Sequence, residues 1–122
     1  MASVATIMHK HIVGVAVGTQ LKTALRLMKL NRVYLVPVLK EGKLVGILTS
    51  KVAEEKLASG NDATAGQAME APFAFVPEDA GIEEAAMMLV SNKITRLPVV
   101  NNRREMKCVG IVTSTDLVAV KS

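Results

Sequence analysis

Apolar residues at Leu21, Ala24, Leu25 and Met28 fall at i, i+3, i+4 and i+7. That spacing is the buried stripe of an amphipathic helix, and it predicts one over about 19–31. The stripe recurs 61 residues on, at Ile82, Ala85, Ala86 and Leu89, predicting a second helix over about 80–92. Short β-branched runs flank both helices. They predict brief strands at 12–16 and 73–76 ahead of the helices, then strand pairs 34–39 with 44–48 and 96–100 with 107–112. Glu41-Gly42 and Asn101-Asn102 are suitable turn residues between the paired strands. Last helices are predicted to start at Ser50 and Ser114, both acceptable N-caps.

The pattern is an internal repeat. Pro37 maps onto Pro98 at the same offset of 61, and Ala5-Thr6-Ile7-Met8 echoes Gly66-Gln67-Ala68-Met69. Further on the offset becomes 64, so that Gly46-Ile47-Leu48-Thr49-Ser50 matches Gly110-Ile111-Val112-Thr113-Ser114. The three extra residues fall in the polar turn Asn101 to Met106, where an exposed loop absorbs insertions. Residues 1–60 form the first repeat and 61–122 the second, with Ser59-Gly60-Asn61-Asp62 as connector. About 60 residues with one three-stranded sheet bury too little surface to be stable alone. The expected fold is therefore α/β (α+β): two pseudo-twofold-related repeats, each a small three-stranded sheet with flanking helices. Their sheets are expected to pack together and leave two related clefts.

Composition narrows the function. Half of the 122 residues are hydrophobic, but aromatics are only two Phe, one Tyr and no Trp. Stacking-based recognition of single-stranded nucleic acid lacks its platforms. The net charge of +4 is compatible with an anionic ligand, yet the basic residues are scattered, with Arg103, Arg104 and Lys107 the only local group. A single cysteine, Cys108, excludes an intramolecular disulfide and a cysteine metal site. Residues 1–17 carry His9, Lys10 and His11 where a secretory leader would need an apolar core. No apolar run reaches the length of a membrane span. A soluble, cytoplasmic protein is expected.

The segment Gly110 to Asp116 carries the most chemistry. A strand ending at Thr113 passes at once into a helix, whose free N–H groups suit a phosphate. The Thr113 hydroxyl can add a hydrogen bond. Asp116, on the first helical turn, can accept from both hydroxyls of a ribose. On spacing alone the commoner role of Asp116 is helix capping and complement to the helix dipole. In the first repeat Val52 stands at the position of Asp116. A valine cannot receive ribose hydroxyls, so one competent site per chain is expected.

The ordered set of Ile7-Met8 and Ala68-Met69, the helix opening, the Leu-Pro-Val type strand and the closing Gly-x-x-Thr-x-x-Asp resembles the CBS domain family, twice over nearly the whole chain. The resemblance implies a tandem pair, or Bateman module. It also implies regulation rather than catalysis, with no cofactor and no catalytic residues. The implied ligand is AMP, ADP or ATP, with S-adenosylmethionine or NAD as further adenosine derivatives. The implied place is the inter-repeat cleft, where Thr113 and Asp116 face the first repeat. By the same resemblance Ile12 and Val13 give backbone contacts to the base, and Thr19 lies near the sugar or phosphate. Val33, Tyr34 and Pro37 form an apolar wall to which Ile111 adds, and Arg96 reaches the phosphates. Leu35 stands opposite Arg96 in the repeat, so the arginine has no symmetric counterpart.

His9 and His11 lie at i and i+2 without an evident third ligand, and no metal site is expected. No nucleophile–base pair is evident. The expected partners are an adenine nucleotide, a second copy of the chain in a disk-like homodimer, and an unknown effector protein that carries the output. The competing function is a nucleic-acid-binding or assembly module using the basic surface. It predicts binding that falls steeply with salt.

Overall fold

The computed structural model describes residues 2–121. Two three-stranded sheets with flanking helices form the chain, in the order expected. The elements are β1 (Val15–Ala16), α1 (Leu21–Asn31), β2 (Leu35–Lys40), β3 (Lys43–Thr49), α2 (Ser50–Ala58), α3 (Ala65–Ala68), β4 (Val76–Pro77), α4 (Ile82–Asn92), β5 (Arg96–Val100), β6 (Cys108–Thr113) and α5 (Ser114–Lys121). A 3-10 turn over Val4–Thr6 precedes them. In each sheet the short first strand runs parallel to the second, and the second pairs antiparallel with the third. The registers coincide at the repeat offset: Val15 faces Val38 as Val76 faces Val99, and Pro37 faces Ile47 as Pro98 faces Ile111.

Two expectations are corrected in detail. The leading strands are only two residues long, because parallel pairing is confined to Val15–Ala16 and Val76–Pro77. The last helices begin at Ser50 and Ser114, but each serine is the first helical residue and not the cap, which is Thr49 in α2 and Thr113 in α5. The Thr49 hydroxyl accepts from the Val52 amide at 3.3 Å, while the Ser50 amide donates to the Tyr34 carbonyl at 2.9 Å. α1 and α4 both end at a non-glycine residue in the left-handed region, Arg32 and Lys93, each with φ of 55°. The Arg32 amide donates to Lys29 and the Val33 amide to Met28, which satisfies carbonyls that the helix end leaves open.

Two compact units result, and they do not follow the order of the repeats. A central unit spans Val13–Phe73; a terminal unit joins the residues up to Ile12 with those from Ala74 on. The repeats 1–60 and 61–122 and the compact units are thus different divisions of the chain. Each repeat sends its leading segment onto the body of the other. In the central unit, the amides of Ala65 and Gly66 donate to the carbonyls of Thr19 and Val17 at 2.7 and 2.9 Å. In the terminal unit, the amides of Val4 and Ala5 donate to Ala80 and Glu78 at 2.9 and 3.1 Å, the same bonds shifted by the repeat.

Each unit has its own apolar core. Leu21, Ala24, Met28, Val36, Val38, Leu48 and Ala53 centre one; Val4, Ala85, Leu89, Leu97, Val99 and Val112 centre the other. The stripes read from sequence supply Leu21, Ala24 and Met28, and Ala85 and Leu89, as buried positions. Among the described residues no helix is long and apolar enough to cross a membrane.

Candidate functional site

The glycine that opens each closing motif is set by packing. A Cβ on Gly110 would stand 2.7 Å from Met8 Sδ and 2.9 Å from the His9 carbonyl. A Cβ on Gly46 would meet the Met69 side chain and stand 2.7 Å from the Glu70 carbonyl. Such separations are too short for real carbon atoms, so the leading segment crosses the strand only where a side chain is missing. The crossing is fixed by backbone pairs. His9 and Ile111 exchange bonds of 2.8 and 2.9 Å, and Glu70 and Ile47 exchange two of 2.9 Å.

In the terminal unit this crossing brings His9 beside the start of α5. Thr113 and Asp116 cap that helix reciprocally: the Asp116 amide donates to the Thr113 hydroxyl at 3.3 Å, and the Thr113 amide donates to Asp116 Oδ2 at 2.9 Å. The other carboxylate oxygen, Oδ1, lies 2.7 Å from His9 Nε2. The Asp116 side chain is only 15% exposed and the imidazole 60%. In the central unit the same cap is half-made, since Val52 has no carboxylate to return the bond to Thr49. Glu70 occupies the position of His9 there.

Arg96 lies across the ladder from Thr113 and is half-buried. Burial lowers the pKa of its guanidinium, and the nearby Asp116 carboxylate partly opposes that. Cation, carboxylate, hydroxyl and helix N-terminus are thus assembled on β5, β6 and α5. Ile111, almost fully buried on β6, belongs to the same unit. The structure brings Arg96, Ile111, Thr113 and Asp116 onto these adjoining elements.

The remaining expected residues are distributed otherwise. Ile12 ends the terminal unit's leading segment, and Val13 begins the central unit; both are half-buried. Thr19 lies in the central unit, where its hydroxyl accepts from the Ala16 amide at 3.2 Å. Val33 and Pro37 are buried, whereas Tyr34 is 76% exposed. Val33 and Tyr34 line a surface pocket of about 260 Å³ with Met28, Lys29, Arg32, Ser50 and Glu54. That is less than most small-molecule sites offer.

His9 is the residue that sequence reasoning placed elsewhere, as half of a histidine pair. Its signal lay in the repeat: position 9 maps to Glu70 as Asp116 maps to Val52, so both members of the contact change together. Among the described residues no group of three His, Cys, Asp or Glu could hold a metal ion. Cys108 is buried, and burial pushes its thiol pKa up.

The CBS domain family model matches residues 4–51 and 65–122. The chain is 30% identical over 115 residues to inosine-5'-monophosphate dehydrogenase of Thermoplasma acidophilum, covering 93% of the chain but 22% of the dehydrogenase. The chain therefore spans about a fifth of that relative's length. Among solved structures, CBSX2 in complex with AMP matches with a TM-score of 0.82 and 26% identity, over 99% of this chain and 96% of that one. The CBS domain pair of protein MJ0100, in complex with 5-methylthioadenosine and S-adenosyl-L-methionine, matches with a TM-score of 0.81 at the same identity and coverage.

Proposed function

The chain belongs to the CBS domain family, and from that premise we propose that it is a regulatory module that binds one adenosine nucleotide and catalyses nothing itself. The observation that carries this reading is the Thr113–Asp116 start of α5 with Arg96 beside it. A carboxylate suits a ribose diol, and a cation with a helix N-terminus suits phosphate. Two similar structures contain adenosine compounds, AMP in one and 5-methylthioadenosine with S-adenosyl-L-methionine in the other.

In this reading Asp116 receives the ribose hydroxyls, and Thr113 and Arg96 serve the phosphate. Ile12 and Val13 are assigned to the base edge and Thr19 to the sugar or phosphate. Val33, Tyr34, Pro37 and Ile111 are the apolar contacts of the adenine. AMP, ADP and ATP are the first candidates, with S-adenosylmethionine and NAD behind them. Val52 removes the equivalent carboxylate, so the stoichiometry is one nucleotide per chain. The output passes to an effector protein, and the module works as a homodimer in the cytoplasm.

A thermal-shift series with AMP, ADP, ATP, S-adenosylmethionine and NAD tests the reading. A ligand that binds only the folded state raises Tm as its concentration exceeds Kd. At least one of the five raises Tm of the wild-type chain and fails to do so for Asp116→Ala. No shift with any of them, or an equal shift in the variant, contradicts the proposal.

A further inference from the structure

Each oxygen of the assigned ribose acceptor already has a partner. Asp116 Oδ2 holds the Thr113 amide at 2.9 Å, and Oδ1 holds His9 Nε2 at 2.7 Å. A ribose diol needs two acceptor positions on one carboxylate. The Thr113 bond belongs to the helix cap and stays. The imidazole is the removable partner, because it lies on the outside and its backbone is held independently by the exchange with Ile111.

We propose that His9 is a selectivity residue of this site: it competes with the nucleotide's ribose for Asp116. The inference rests on the nucleotide reading above. The repeat supports it from within the chain. The same backbone pairing exists at Glu70 and Ile47, yet where the carboxylate is replaced by Val52 the histidine is replaced as well. The imidazole is present only where there is a carboxylate to cover.

The test is AMP titration by calorimetry on the wild-type chain, His9→Ala and His9→Gln. The expected result is an AMP affinity about fivefold tighter in His9→Ala than in the wild type. His9→Gln, which keeps a side-chain donor for Asp116, stays closer to the wild type than His9→Ala does. If AMP binds the wild type and His9→Ala binds it equally or more weakly, the inference fails while the nucleotide reading stands. If AMP binds neither chain, both fall.

Discussion

Met8 Sδ lies where a Cβ on Gly110 would come within 2.7 Å of it, and the His9 carbonyl would be 2.9 Å from the same atom. The carbonyl is bonded to the Ile111 amide and cannot retreat without breaking that bond. Gly110→Ala is thus overpacked against backbone, and so is Gly46→Ala against Glu70. Each lowers stability by about 1–3 kcal/mol, measured by urea unfolding. Alanine tolerated at either position without loss would contradict the crossing of the leading segments.

Val4 is fully buried in the core of the terminal unit with Ala74, Ala80 and Leu97, although some 70 residues separate it from the nearest of them in sequence. Val4→Ala removes two methyl groups from that core and costs about 2 kcal/mol. Ala2→Ser, an exposed change two residues away, costs nothing measurable. Equal unfolding midpoints for Val4→Ala and wild type would show that the segment does not dock there.

The reciprocal cap of α5 predicts coupling. Thr113→Ala and Asp116→Ala each cost about 1 kcal/mol, and the double variant costs less than their sum because the two bonds join one pair. Thr49→Ala costs a similar amount, but a cycle with Val52→Ala shows no hydrogen-bond coupling from the Val52 side chain. A double-mutant cycle in denaturant measures both.

Cys108 is buried, and desolvation raises its thiol pKa above the ordinary value. The folded state therefore holds its proton more tightly than the unfolded chain. This contribution to stability is complete below the unfolded thiol's pKa and is lost as pH rises through the higher folded value. Stability of the wild type falls more steeply above about pH 9 than that of Cys108→Ala, whose slope lacks the thiol. At neutral pH the native thiol reacts with a disulfide reagent far more slowly than in the unfolded chain.

Periodicity made the scaffold legible. Leu21, Ala24 and Met28, with Ala85 and Leu89, are buried as the stripe required, while Leu25, Ile82 and Ala86 are half-buried at its edge. The strand pairs and both turns lie where β-branched runs and polar residues put them. The crossing of the leading segments was not legible, because Ile7-Met8 and Ala68-Met69 read the same whichever repeat they pack on. The glycine contacts and the backbone pairs of His9 with Ile111 and Glu70 with Ile47 reveal the exchange. At the site, Thr113 and Asp116 could be picked out because strand end and helix start are marked locally. The His9 contact could not, since it spans 107 positions and no local pattern announces it. The left-handed residues Arg32 and Lys93 carry no local mark either, as the sequence has no glycine at either helix end.

The central claim is one nucleotide per chain, received by Asp116. Calorimetric titration of AMP into the wild-type chain and Asp116→Ala tests it most directly, with the fold of the variant checked by its unfolding curve. The account predicts a single site per chain in the wild type and at least a tenfold loss, about 1.4 kcal/mol, in a variant that remains folded. Two sites per chain, or undiminished affinity in folded Asp116→Ala, would contradict it.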